Sequence, residues 1–243
     1  MRSLSDYWTT EDASPEHLYH DVLVAIDEKR RLNNGQPSLW AHLYDQLDLT
    51  PGEHIVHVGV GAGYYTAILA EVVGAKGQVT AVEIDPAPAE RSRGNLALSR
   101  PQANVIAADG FAFRPGRSAD AIIINAGVSR LSLAWLDSLE PPNGRLRVPL
   151  TTADRFGAFL LITRRGVDMQ RCSAQFVSRT GIISCVGGRD ADADTKLKAA
   201  LQRSYFSAIQ SLRRAPEEPD DTCWLAGDGW WLSTAPASSE GAE

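Results

Sequence analysis

The sequence predicts an α/β fold: a Rossmann-like, doubly wound, mostly parallel sheet with antiparallel strands at its C-terminal end. Three observations predict it. Apolar runs without polar alternation recur at 54–60, 78–84, 104–108, 120–126 and 145–150, the texture of strands covered on both faces. Helical stretches separate them, and strand–helix alternation builds a parallel sheet by right-handed crossovers. From residue 157 the texture changes, and "GAFLLITRR", "AQFVSRTGIISCV" and "TCWLAGDGWWLST" read as strands joined with little helix between them.

Taken in order, Ser14-Pro15-Glu16 reads as a helix start, with a capping hydroxyl, a proline whose missing N–H does no harm, and an acid near the positive dipole end. Leu18, Val22 and Ile26 continue it at helical spacing, so residues 1–36 are expected to form a helical cap. "RLNNGQP" interrupts that helix, and Pro37 opens another whose buried stripe is Leu39, Trp40, Leu43, Tyr44 and Leu47. "LTPGE" is a turn. "HIVHVGV" is a strand, Tyr64–Val73 a helix stopped by Gly74, "QVTAVEI" a strand, and Pro86–Leu98 a helix. Strands at "NVIAA", "DAIIINA" and "RLRVPL" follow, with a short helix near Leu131–Leu139 before the last. These make residues 37–187 the core. Residues 188–234, a helix across Asp192–Arg214 and a Trp-rich hairpin, complete the domain, and 235–243 form a disordered tail.

Bulk properties narrow the function. A chain of 243 residues with 44% hydrophobic and 22% charged residues is ordinary for a globular protein. A net charge of −6 argues against a general nucleic-acid surface. Cys172, Cys185 and Cys223 are widely spaced and form no CxxC pair, so they read as thiols in a reducing compartment. The first residues lack the apolar stretch of a secretory signal and no run reaches transmembrane length, which makes the cytoplasm the expected location. His17 and His20 lie beside Glu16 and Asp21, but a solvated helix face explains them and no metal is expected.

The chemistry concentrates at the strand ends. "HVGVGAGYYT" places three glycines between a strand and a helix, where backbone N–H groups and a helix N-terminus approach a ligand closely. Glu83 closes the next strand, as an acid that binds ribose hydroxyls does. The dinucleotide pattern G-x-G-x-x-G requires glycine at Tyr64, and the chain has Gly59, Gly61 and Gly63 instead. That spacing, with Glu83 and then "AADG" at 107–110, resembles class I S-adenosylmethionine (SAM)-dependent methyltransferases.

Within them the chain is most similar to the protein-L-isoaspartate O-methyltransferase family. "GQPSLWAHLYDQLDLTPGEHIVHVGVGAGYYTAILAEVVG" and "DAIIINAGVSRLSLAWLDSLEPPNGRLRVPL" carry the resemblance, from about Gln36 to about Gly187. It implies the seven-stranded methyltransferase sheet, SAM as cofactor with S-adenosylhomocysteine (SAH) as product, and a peptide or protein carboxylate as acceptor. Gly59, Gly61 and Gly63 would lie against the methionine part, Glu83 at the ribose, Asp109 and Gly110 at the adenine, and Tyr64 along the cofactor. Asn34, Gly35, Gln36 and Pro37 would cover the methyl-transfer side.

Three departures fall within that frame. The family places a serine or threonine before Gln-Pro, where this chain has Gly35; an acid two residues before the first glycine, where it has His57; and a Pro-Arg segment upstream that "VLVAIDEKRR" does not match. Two of these lie on the acceptor side and imply an altered acceptor site. Asn125, at the carboxyl end of the fourth strand, is an acceptor-side catalytic candidate. His57 is either a catalyst or a hydrogen-bonded structural residue. A methyltransferase for a small metabolite and a non-catalytic SAM sensor or scaffold stand beside the carboxylate reading.

Overall fold

The computed structural model describes residues 16, 20–27, 29–97, 99–203 and 208–237. Strands β1 (Ala25–Asp27) and β2 (Leu32–Asn33) form a small hairpin ahead of helix α1 (Pro37–Asp45). Then come β3 (His54–Val58), α2 (Tyr64–Val73), β4 (Gln78–Glu83), α3 (Pro86–Leu96), β5 (Ala103–Ala107), β6 (Ala121–Ile124), α4 (Leu133–Asp137) and β7 (Arg145–Thr151). The chain continues through β8 (Phe156–Arg164), β9 (Arg171–Gly181), α5 (Ala191–Arg203), β10 (Ser211–Arg214), β11 (Cys223–Gly227) and β12 (Trp230–Ser233).

All strands from β3 onward join one ten-stranded sheet in the order β11-β12-β10-β9-β8-β7-β6-β3-β4-β5. The run from β7 to β5 is parallel, and everything beyond β7 on the other side is antiparallel. Alternation of side chains along a strand gives the parallel half two buried faces. Ile55, Ala121 and Ile123 meet Leu69, Ala70 and Val73 of α2 on one. Val56, Val58, Ile122 and Ile124 join a cluster with Trp135 and Leu136 of α4 and Leu197 and Ala200 of α5 on the other. The strand order changes direction at β3, between β4 and β6, and that switch point is where ligands bind in open α/β sheets.

The structure corrects two expectations. The helix read across Ser14–Ile26 does not reach its end: residues 21–23 carry no helix and Ile26 lies in β1. Asn34 holds the hairpin instead, accepting from the Val24 N–H at 2.7 Å through its side chain and donating its own N–H to the Val24 carbonyl at 2.9 Å. Ile26 lies against Gly61 rather than on a helix stripe. Residues 14, 15 and 17–19 of that reading, with His17 and Leu18, lie outside the described residues.

The second correction concerns the helix across Asp192–Arg214, which ends at Arg203; Ser211–Arg214 form β10, slotted between β9 and β12. The antiparallel C-terminal strands expected from the sequence are present: β10, β11 and β12 extend the seven strands from β3 to β9. The last residues of the expected tail, 238–243, also lie outside the described residues.

Candidate active site

A cavity of about 1360 Å³ opens at the switch point. Gly59, Gly61, Tyr64, Glu83, Asp109, Gly110, Asn125, Asn34, Gly35 and Gln36 all line it. Gly63, Pro37 and His57 do not: Gly63 caps α2 and faces Ser92 and Leu96, Pro37 opens α1, and His57 lies fully buried behind the wall.

One half of the cavity is made of backbone fixed by carboxylates. After β3 the chain turns through Gly61 at φ +59°, a conformation side chains disfavour. The Gly61 N–H donates to Glu83 Oε2 at 2.9 Å, and the Asp85 N–H donates to Glu83 Oε1 at 3.2 Å. An ionised carboxylate has about four acceptor positions, so each oxygen keeps capacity for a further donor, as a ribose hydroxyl requires. Beyond β5, Asp109 Oδ1 accepts the Phe111 N–H at 2.9 Å. Gly110 comes so close to Val58 that a Cβ on it would lie 2.3 Å from Val58 Cγ1. The β1–β2 hairpin closes this half from above, with Ile26 on Gly61 and Arg30 paired to Asp85.

The other half is made of side chains. Asp21 organises its rim, accepting the Ser38 N–H at 2.7 Å, the Ser38 hydroxyl at 2.8 Å and Gln36 Nε2 at 2.8 Å. These donors hold its carboxyl below the usual range, the Ser38 N–H first. Gly35 sits at φ +74° with its N–H on Asn33 Oδ1 at 2.8 Å. A Cβ there would lie 2.1 Å from Trp40 Nε1, so the indole fills the space a side chain at 35 would need.

Behind Trp40 runs a buried polar chain. Arg147 Nη2 donates to Asn125 Oδ1 at 3.3 Å, Asn125 Nδ2 meets His57 Nε2 at 2.6 Å, and His57 Nδ1 meets Thr66 Oγ1 at 2.8 Å. A guanidinium only donates, so Asn125 Oδ1 accepts and its Nδ2 donates to His57 Nε2. The His57 proton therefore sits on Nδ1, toward Thr66. Desolvation first, and the Arg147 charge second, push the His57 pKa down to about 3. Arg147 is completely buried, boxed by the rings of Trp40, Tyr44 and Phe159 at 4.7, 5.0 and 5.4 Å. Burial lowers its pKa to about 10, which leaves it charged at neutral pH.

Sequence reasoning placed Asn125 at this wall and counted Trp40 only as core; it missed Arg147 and Asp21. The one legible signal was an arginine inside "RLRVPL", a run expected to be covered on both faces. Among the described residues no cluster of His, Cys, Asp and Glu suits a metal, and no helix is long and apolar enough to cross a membrane.

The family model for protein-L-isoaspartate(D-aspartate) O-methyltransferase (PCMT) matches residues 7–181. Protein-L-isoaspartate O-methyltransferase 1 of Archaeoglobus fulgidus is 30% identical over 152 residues, covering 58% of this chain and 70% of that protein. The Ignicoccus hospitalis enzyme of the same name is 33% identical over 132 residues, covering 52% of this chain and 62% of the relative. A solved structure titled protein-L-isoaspartate O-methyltransferase superposes with a TM-score of 0.65 at 19% identity, covering 92% of this chain and 78% of that one. At that identity the superposition speaks for the fold.

Proposed function

The chain belongs to the protein-L-isoaspartate(D-aspartate) O-methyltransferase family, and from this premise we propose that it is a SAM-dependent enzyme that methylates a carboxylate oxygen of a peptide or protein. The cofactor fits the backbone-built half of the cavity, with Glu83 at the ribose hydroxyls, the 59–61 turn along the methionine part and Asp109 at the adenine. SAM, when bound, supplies a methyl group already activated on sulfonium sulfur. The protein's remaining task is to hold an acceptor in line, and positioning of that kind is worth on the order of 7–11 kcal/mol in the best intramolecular cases.

One observation carries the choice of acceptor. The histidine behind the acceptor wall, His57, is neutral, fully buried and committed at both ring nitrogens to Thr66 and Asn125. It has no free lone pair with which to take a proton from a substrate. An alcohol acceptor needs such a base, whereas a carboxylate is already ionised at pH 7. We place the protein in the cytoplasm, a reading supported by three free cysteines.

Methyl transfer from labelled SAM to an isoaspartyl peptide, with the aspartyl peptide as control, tests this reading. Base-labile label on either peptide supports carboxylate methylation, and label on the first alone identifies isoaspartate as the acceptor. Base-stable label on nitrogen overturns it. Tight SAH binding without transfer to any carboxylate favours a non-catalytic sensor, the reading that Gly35 and His57 keep in view.

A further inference from the structure

We propose that Trp40 and Asn125, backed by the buried charge of Arg147, form the subsite that holds the acceptor carboxylate. The inference rests on the carboxyl-methylation reading and names the groups that would enforce it. It starts from polar atoms that the fold buries and leaves without partners. Trp40 is 4% exposed and its Nε1–H has no hydrogen-bond partner. That N–H faces Gly35, and both residues line the cavity. Arg147 Nε and Nη1 are likewise buried and unpartnered. Native proteins satisfy the great majority of such groups, so several at one wall call for an explanation.

The wall also has a sign. Among the described residues no carboxylate pairs with Arg147, and the neutral Tyr44 hydroxyl is the one group favouring its charged form. A buried cation without an anion is costly, and this one stands one residue behind the cavity.

Asn125 passes that polarity forward. Its Oδ1 takes the Arg147 N–H and one Nδ2–H goes to His57 Nε2. The amide orientation is thereby locked, and the second Nδ2–H is its one unused donor. Trp40 and Asn125 thus each hold an N–H without a partner, Arg147 adds a positive field, and the one acceptor among them, Asn125 Oδ1, is turned toward Arg147. A carboxylate satisfies such a site, whereas an isosteric carboxamide supplies only one acceptor oxygen and no charge. Trp40 and Asn125 would touch the substrate. Arg147 and His57 are positioning residues that act through Asn125.

The test does not depend on the identity of the acceptor. Sodium propionate, and propionamide as its neutral isostere, are titrated into SAH-bound protein while the indole N–H signals are followed by ¹H–¹⁵N NMR. One signal, absent from W40F, is expected to move downfield and saturate with propionate but not with propionamide. R147M is expected to weaken propionate at least about tenfold, roughly 1.4 kcal/mol, with SAH affinity unchanged. N125D places a carboxylate against Arg147 and removes the donor. It too should lose propionate while keeping SAH, which preserves the test should R147M fail to fold.

An unmoved Trp40 signal, equal response to both probes, or wild-type propionate affinity in both R147M and N125D overturns the subsite. These failures are separable from failure of the proposed function. Ester formation on a peptide without an indole response sinks the subsite alone. An indole response with methyl found on nitrogen sinks the function and leaves an anion site.

Discussion

The two halves of the cavity solve their binding problems with different material. On the cofactor side, main-chain N–H groups of a glycine turn are pinned by one carboxylate, Glu83. On the acceptor side, side chains from α1, β3, β7 and the end of β6 relay a single buried charge, Arg147, through Asn125 to His57. Backbone geometry tolerates side-chain change around it; a side-chain relay fails or changes character when one member changes. The comparison teaches that the two halves are built to vary independently, one through main-chain geometry and the other through each member of a side-chain relay.

The strongest way to break that comparison is at Glu83. Glu83→Ala removes the acceptor of two part-buried backbone N–H groups, those of Gly61 and Asp85. Charge-assisted hydrogen bonds are worth about 1.5–3 kcal/mol each. SAH affinity should therefore fall roughly 100-fold or more by calorimetry, while the Trp40 indole signal in the unliganded protein stays in place. Equal disturbance of the indole would mean that the halves are one unit.

Gly35→Ala is the corresponding cut on the acceptor side. It adds the strain of a side chain at φ +74° to a Cβ placed 2.1 Å from Trp40 Nε1. The indole has to move. Propionate affinity should fall about tenfold, and stability by about 1 kcal/mol or somewhat more from the backbone term. SAH affinity should change little. Loss of SAH binding in this variant would contradict the division.

The same division explains what the sequence made legible. Gly59, Gly61, Glu83 and Asp109 are announced by spacing, because they stand at the ends of β3, β4 and β5 and those strands come in order. Arg147 has no such address. It is 22 residues from Asn125 and 90 from His57 in sequence, and only the register β3–β6–β7 brings the three together. Trp40 was visible as a core residue of an amphipathic helix; that its N–H is buried against Gly35 without a partner is a matter of tertiary packing. The helix read across Ile26 failed for a related reason, since the hydrogen bonds of Asn34 to Val24 settle that segment as a hairpin and no local periodicity encodes them. The helix read to Arg214 failed because Ser211–Arg214 completes the sheet between strands distant in sequence.

A pH experiment sharpens the acceptor side further. His57 is held neutral with a pKa near 3 by burial and by Arg147, with Asn125 and Thr66 on its two nitrogens. Its unfolded value is near 6.5, so between about pH 3 and 6.5 the unfolded chain binds the extra proton. Stability is then fully present above pH 6.5 and is lost as the pH falls, at up to about 1.4 kcal/mol per pH unit. His54, whose pKa burial also lowers, adds a slope of the same sign. Denaturant unfolding at pH 7 and pH 5 should show His57→Gln losing about 2 kcal/mol less than wild type over this range. Identical slopes would mean that His57 is protonated in the folded protein, which would reverse the donor order through Asn125 and undo the case for a donor-lined wall.

The smallest effect is expected at Arg30, where the hairpin crosses to the cofactor side. Its guanidinium pairs with Asp85, but 52% of the side chain remains exposed, and Asp85 already caps α3 by accepting the Ala87 N–H at 3.2 Å. Exposed ion pairs contribute little and are screened by salt. Arg30→Ala should raise the SAH dissociation constant no more than about threefold, and half-molar salt should have the same effect on wild type. The apolar contact of Ile26 on Gly61 would then be what holds the hairpin down, and Ile26→Ala should cost more than Arg30→Ala. The opposite ranking would make the ion pair a latch over the cofactor. It would give the backbone-built half a side-chain dependence of its own, and the contrast between the two halves would narrow accordingly.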